Sequence, residues 1–556
     1  VRIETLFVNG RILTMDPSHP EVEAVAVADG RVRATGATAE LLARRERDTT
    51  VIDLGGRFAC PGFIDPHNHF SLTALGPAEA DCRTPPLRTI AELQERLHAL
   101  AVTLPTGTWI RAHGYDETAL RERRHPTRFE LDAAAPDHPV VLVHWSVHRC
   151  VLNSAALSAL GIDATTPDPP GGWIVRDRQG LPLGPLYETA TNAAQAVSLR
   201  AYAARLAEHA PELFRANARA HLTFGITALG DAYVGPPLLR LYRAAAAAGA
   251  MPLRVSAYCG GTEGLFAPPH ACLTDPATWP DAGSGDGAFR LVGVKLFVDG
   301  GGNTTATSLA GHASHPSPRP PRVFYRQEEL DALVEAAHAR GLQVAVHAAG
   351  DVAVAMALTA MERARAKHPY REPRFRLEHA VLLTDDLIRR LAAVGAVVVT
   401  QPLAITYHAS HVARAPLAEG LRYLPLRDLL AAGVPVAASS DAPCYPLDPL
   451  LHVWAAVTRA TLAGEVHAPE QRVSVEEALR MATVHAAHAT FTADEEGSLA
   501  PGRRADIVVL SADPRTVPPD ALCAVRVEAV YRGGELVYER ARDGAAPAVG
   551  RWLPAS

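Results

Sequence analysis

Two histidines, His67 and His69, end the run PGFIDPHNH. On an extended strand, side chains two apart face the same side, so both imidazoles can grip one cation. Further along, Lys295 stands inside LVGVKLFVD, His347 follows LQVAV, His379 ends FRLEH and Asp441 follows VPVAASS. Imidazole and carboxylate donors suit zinc and related divalent metals. A lone buried histidine is more often structural than ligating. Four histidines, a lysine and an aspartate, each ending or lying within an apolar run, are a different matter. Lys295 has Val292, Val294, Leu296 and Phe297 as neighbours. Desolvation lowers a lysine pKa and makes the amine nucleophilic. A neutral lysine can take up carbon dioxide as a carbamate, an anion able to bridge two metals. The plainer alternative is an ion pair with Asp299, four residues on.

Positioning these groups requires a repeated element. Eight apolar runs alternate with helical stretches: PGFID, GITALGD, RVSAYC, LVGVKLFVD, LQVAVHAAGD, FRLEHA, AVVVTQP and VPVAASSD. One of the helices is RQEELDALVEAAHARG, with Leu330, Leu333, Val334 and Ala337 at helical spacing and Gly341 as its stop. This alternation predicts an α/β protein with a (β/α)8 TIM barrel, whose active site lies at the C-terminal ends of the strands. The spacing agrees. His347 and His379 are 32 residues apart, one βα unit, and His379 and Asp441 are 62 apart, two units. From Lys295 to His347 is 52 residues, one unit plus a Pro-rich loop.

The barrel is expected over 58–491. Residues 71–220 are read as an insertion over its mouth, where loops set substrate choice. This segment carries His113, His144 and His148, and also Trp109, Trp145 and Trp173, whose rings could line an apolar pocket but are better read as core. Both chain ends have short half-buried strand patterns, with turn signals at Asn9-Gly10, Asp29-Gly30 and Gly533-Gly534. Residues 1–57 and 492–545 are therefore expected to form one small β-sandwich-like domain.

Composition excludes more than it assigns. The chain has 556 residues, 48% of them apolar, and a net charge of −6 without a basic stripe, which argues against nucleic acid as a partner. No run is long and apolar enough for a spanning helix, and the N-terminal residues lack a signal-peptide pattern. Seven widely spaced cysteines argue against a disulfide framework or a thiolate zinc site and fit a reducing cytoplasm. The expected partner is a small-molecule substrate, with homodimerisation left open.

The ordered set His-x-His, Lys, His, His, Asp resembles the binuclear amidohydrolases. In detail the chain is similar to the AepA/YtcJ-type branch (amidohydrolase family 3), which includes N-substituted formamide deformylases. The matching segments are PGFIDPHNH, HRCVLNSAAL, GITALGDA, VKLFVDGG, HAAGD, LEHA, SSDAP with the following DPL, and GSLAPGRRADIVVL. They run from about residue 8 to 535, individually weak but strong in order. The resemblance implies a divalent metal, zinc in the first instance, one or two per chain. His67, His69 and Asp441 would hold one metal and His347 and His379 a second, with carbamylated Lys295 bridging. It implies hydrolysis of an amide-type C–N bond by metal-activated hydroxide, with Asp441 as the catalytic proton carrier. His148 stands where the branch often has a histidine facing the pocket, which makes it a substrate-binding candidate. Two positions depart from the branch. The lysine strand runs into Gly300-Gly301-Gly302-Asn303-Thr304 rather than a serine- and arginine-containing turn, and His485 stands where an asparagine is usual. Three other readings compete: a deaminase, a cyclic amide or carbamate hydrolase on the same barrel, and a non-catalytic binding protein. Deaminase sites resemble a one-metal variant with a glutamate where this chain has Gly350.

Overall fold

A computed structural model describes residues 2–261, 263–269, 273, 287–301, 323–369, 372, 375–414 and 420–544. Its centre is a nearly closed eight-stranded parallel barrel. The strands are β1 (Phe63–Asn68), β2 (Ile226–Val234), β3 (Arg254–Cys259), β4 (Phe289–Phe297), β5 (Gln343–Ala348), β6 (Arg376–His379), β7 (Val397–Thr400) and β8 (Val436–Ala438), paired in sequence order. The seam between β8 and β1 is bridged just beyond the last strand. Asp441 N–H donates to His67 O at 2.8 Å and His69 N–H to Ala442 O at 3.0 Å. Within the seam, Ile64 N–H finds Ala482 O, 2.9 Å away. Ala486, Ala487 and Ala489 of helix Val484–Ala489 share one buried cluster with Ile64, Ala228, Val397, Val399 and Ala437 of the strands.

The strands are buried over most of their length, as parallel strands covered on both faces must be. The helix after β4 spans Gln327–Ala339 and buries Leu330, Leu333, Val334 and Ala337. It stops where Gly341 takes φ +73°, a conformation that costs glycine little. Gly230 on β2 is required for a different reason. A Cβ there would stand 2.1 Å from Pro66 O, so only glycine lets β2 approach β1 immediately before His67.

Between β1 and β2 the chain builds its own six-stranded sheet. Its order is Gly172–Arg176, Pro182–Glu188, Arg149–Leu152, Val140–His144, Ile110–Tyr115 and Ala80–Asp81. A separate core of Leu93, Leu97, Leu131, Leu142 and neighbours backs it. Helix Ala210–Leu222 then leads into β2. The two chain ends also meet in one sheet, in which Ile507–Leu510 pairs antiparallel with Phe58–Pro61 and with Val527–Arg532. The first apolar run is thus divided: Phe58–Pro61 belongs to the terminal sheet and the barrel strand starts at Phe63. No described helix is long and apolar enough to cross a membrane. Cys60, Cys82, Cys150, Cys444 and Cys523 are free thiols, Cys259 is disulfide-bonded, and Cys272 lies outside the described residues.

Candidate metal centre

The strand ends bring His67, His69, Lys295, His347, His379 and Asp441 to one place at the barrel mouth. Asp441 Oδ1 lies 3.3 Å from His67 Nε2 and 3.1 Å from His69 Nε2. Lys295 Nζ is 3.4 Å from His67 Nε2. Ring centroids of His67 and His379 are 5.1 Å apart, and those of His347 and His379 are 4.4 Å apart. Five of the six are buried and His379 is half-buried. Two of them sit on unusual backbone, His379 at φ +74° and Asp441 at φ +51°. Side chains alternate along a strand, so Glu378 and His379 should face opposite ways. The positive φ at His379 ends that alternation and allows both neighbours to meet His67. Backbone strain of this kind collects at functional sites.

The donor set fits a divalent metal. His67, His379 and Asp441 each offer a ligand-type atom, and these atoms lie within 4.8 Å of one another. His347 Nε2 is buried without a hydrogen bond, 3.4 Å from Asp299 Oδ1. Such an orphaned atom is costly unless something accepts its lone pair. The ion pair between Lys295 and Asp299 offered as the plainer alternative is not formed. The Asp299 carboxylate instead accepts the N–H groups of Ala349 and Gly350, both at 3.0 Å, which holds it at the head of the helix after β5. Lys295 turns to His67.

The electrostatics agree. Burial holds His347 well below the usual imidazole range and His379 down at about 3, so both are neutral and can offer lone pairs. Burial pulls Lys295 down to about 8, against the opposing pull of Glu378 and Asp441. Burial alone would raise Asp441, but His67 and His69 outweigh it and keep the group an anion. For His67, burial and Lys295 push down while Asp441 and Glu378 push harder the other way, so the net direction is up. An excess of negative charge around His67 is what a cation would neutralise.

His148 approaches the same place from the insertion. Its ring centroid lies 5.1 Å from that of His347, and its Nδ1 is 2.6 Å from Glu188 Oε2. Gly301 packs against this ring, since a Cβ there would stand 2.7 Å from His148 Cδ2. Gly302, Asn303 and Thr304 lie outside the described residues. His113 is bonded to Glu79 at 2.9 Å, and His485 to the Val436 carbonyl at 3.0 Å, so both have structural partners. Trp145 stacks on His408 with centroids 5.6 Å apart, and Trp173 stacks on Tyr187 at 4.3 Å. Trp109 packs half-buried against the main core.

Asp116, Glu117 and His144 form a second group with ligand-type atoms close together. Ser146 N–H points at His144 Nδ1, which leaves the ring proton on Nε2, 2.8 Å from Glu117. Arg149 donates to the other Glu117 oxygen at 2.9 Å. Arg149 and His144 thus both face the Glu117 carboxylate, and Glu117 Oε2 and His144 Nε2 are buried without a hydrogen bond.

Sequence reasoning missed four residues at the main site. Gln401 Oε1 holds His379 Nδ1 at 2.8 Å. Glu378 accepts from His67 Nδ1, Arg376 grips Glu378, and Glu188 orients His148. The available signal was the pair of charges two apart in FRLEHA, since charge in a buried strand demands a partner.

The family model "Amidohydrolase family" matches residues 50–538. The chain is 34% identical to the N-substituted formamide deformylase of Arthrobacter pascens over 97% of this chain and 98% of that protein. It is 30% identical to the putative amidohydrolase YtcJ of Bacillus subtilis over 97% and 100%. Among solved structures, an uncharacterized metal-dependent hydrolase from Pyrococcus horikoshii superposes with a TM-score of 0.71 at 25% identity, covering 93% of this chain and 99% of that one.

Proposed function

Because the chain belongs to the amidohydrolase family, we propose that it is a metal-dependent hydrolase cleaving the C–N bond of a small amide, with N-substituted formamides or N-acyl amines as the substrate class. The observation that carries this reading is the convergence of His67, His379 and Asp441 atoms within 4.8 Å, with Lys295 and the orphaned His347 Nε2 beside them. His67, His69, His347, His379 and Asp441 would hold the divalent metal, zinc in the first instance, with carbamylated Lys295 as bridge if two are bound. Such a metal supplies Lewis acidity, polarising a carbonyl and lowering the pKa of water from ~15.7 toward ~7.

The chain's own residues do the rest. Asp441, held as an anion at the strand end, accepts the proton of the attacking water and returns it to the leaving nitrogen. That return matters because an amine leaves poorly unless protonated. Gln401 and Glu378 each engage an Nδ1, so His379 and His67 present Nε2 to the reacting face. Trp145 stacks on His408, whose Nε2 lies 3.0 Å from the Tyr445 hydroxyl, four residues after Asp441. His148, held by Glu188 next to His347, is the group best placed to meet the substrate from the insertion side.

The deaminase alternative lacks its carboxylate. Gly350 offers only an N–H, which is given to Asp299. A hydrolysis screen with metal-replete protein across formamides, acyl amides, cyclic imides and carbamates tests the reading. Turnover of the first two classes is expected. Exclusive activity on cyclic imides or carbamates would reassign the substrate, and full activity in rigorously metal-free protein would end the proposal.

A further inference from the structure

We infer that Arg376 and Glu378 form a buried clamp that positions His67, setting which ring nitrogen faces the metal and how tightly the metal is held. The inference rests on the metal-site reading above, and concerns residues that touch neither substrate nor metal.

Both residues lie on β6, two apart, and both are fully buried. Every donor of the Arg376 guanidinium is used. Nε donates to Glu378 Oε1 at 2.7 Å. Nη2 donates to Glu378 Oε2 at 3.1 Å and to Pro66 O at 2.8 Å. Nη1 donates to the Tyr258 hydroxyl and to Ala489 O at 3.2 Å. Arginine has five N–H donors, and five acceptors surround this one. Its carbon centre also lies 4.3 Å over the Tyr258 ring, and Tyr258 hydroxyl passes its own proton to Gln343 Oε1 at 2.6 Å. The guanidinium therefore has one orientation.

The clamp acts on the metal strand at two points. It holds the backbone of β1 through Pro66 O, the residue before His67. It holds the His67 side chain through Glu378 Oε2, which accepts the Nδ1 proton. With a proton held on Nδ1 by the carboxylate, Nε2 is the nitrogen left to offer a lone pair when a metal displaces its proton. Nε2 is also the atom lying 3.3 Å from Asp441 Oδ1 and 3.4 Å from Lys295 Nζ. A carboxylate behind a ligating imidazole fixes its tautomer and raises its basicity, and losing such a partner typically costs 10–100-fold in metal affinity.

The chemistry specifies carboxylate at position 378. Both of its oxygens must accept: Oε1 from Arg376 Nε, and Oε2 from Arg376 Nη2 and His67 Nδ1. Glutamine has one oxygen. In Glu378→Gln the amide NH2 must face either the guanidinium or His67 Nδ1. Facing the ring, it would move the ring proton to Nε2 and disable the ligand. In Glu378→Asp the charge opposite Arg376 is kept but the carboxylate is drawn back from His67. The pair of variants thus separates holding the fold from positioning the ring.

The test is zinc affinity by competition with a chromogenic chelator, for wild type, Glu378→Gln and Glu378→Asp, with thermal melts of the metal-free proteins alongside. Both variants are expected to lose about 10–100-fold in zinc affinity, and Glu378→Asp to melt near wild type. Wild-type affinity in either folded variant would overturn the inference. A crystal structure of the zinc-loaded wild type gives a reading that needs no variant: Nε2 of His67 on the metal supports the clamp, and Nδ1 on the metal refutes it. If the wild type itself binds no divalent metal, the proposed function fails. If it binds metal and the variants bind equally well, only the clamp fails.

Discussion

Asp441 Oδ1 reaches His67 and His69 from one atom, on a residue whose φ of +51° turns it into the barrel mouth. Replacing its carboxylate by a carboxamide keeps an oxygen for the metal but removes the proton acceptor. Asp441→Asn is therefore expected to lower turnover by about 10²–10⁴ at matched metal content, with substrate binding changed less. A variant keeping more than about a tenth of wild-type turnover, well short of that range, would show that another group carries the proton. Lys295 gives a second test. Drawn down to about 8 by burial, it has a neutral fraction at neutral pH able to take up carbon dioxide. Protein loaded with metal under 13C-labelled carbon dioxide should show a carbamate carbon signal, absent in Lys295→Ala, and added short carboxylates should restore part of that variant's second metal. An ammonium at full metal occupancy would exclude the bridge. The residues behind these two tests were legible in the sequence because each ends or lies within an apolar run and has a side chain that binds metals. Glu378, Arg376, Gln401 and Glu188 were not. Their roles depend on which strands face each other across the barrel, and a single sequence does not contain that relation.

At the scale of elements, the barrel strands could be read because apolar runs and helical stretches alternate, and all eight runs map onto the eight strands, with shifted boundaries at the first. The insertion was visible as excess length carrying one family-like segment, and its own sheet was not. Its runs, such as VVLVH and RCVL, have the same apolar texture as barrel strands, and nothing local distinguishes a strand of one sheet from a strand of another. Its first layer is fastened by Glu79, which receives Arg111 Nε at 2.8 Å and faces His113 Nδ1 at 2.9 Å. Burial alone would raise this carboxyl, but Arg111 and His113 together draw it down to about 2. A folded pKa below the unfolded one adds stability that is present above the unfolded value, near 4.5, and is lost as pH falls toward about 2. A shift of this size corresponds to roughly 3 kcal/mol. Glu79→Gln should therefore be less stable than wild type at pH 7, and the gap should narrow as pH falls between about 4.5 and 2. Urea melts across that range measure it, and a gap independent of pH would show that the ion pair does not fasten the layer.

Strands from the N-terminal and C-terminal parts of the chain share one sheet. The C-terminal strands Ile507–Leu510 and Val527–Arg532 form one sheet with Phe58–Pro61, the segment that leads directly into β1 and so into His67 and His69. This sheet is tied to the barrel by Arg254 of β3, buried with 7% exposure. Its Nε donates to Glu496 Oε1 at 2.6 Å, and its Nη2 to Asp506. Asp506 in turn accepts Gly533 N–H at 2.9 Å, while its carbonyl accepts Gly62 N–H at 2.9 Å, one residue before β1. One guanidinium thus joins a barrel strand, the C-terminal sheet and the entry to β1. Arg254→Met would leave two buried carboxylates without their common cation, and breaking one side of a buried pair typically costs about 3–5 kcal/mol. That loss should lower the thermal midpoint of the metal-free protein. It should also weaken metal retention, because the sheet holding the start of β1 is loosened at Gly62. A compensating Arg254→Met, Glu496→Gln, Asp506→Asn variant should recover part of the stability, since replacing all the partners leaves no buried charge uncompensated. If Arg254→Met melts with the wild type and keeps its metal, the terminal sheet is an appendage to the barrel rather than part of the frame that positions His67 and His69.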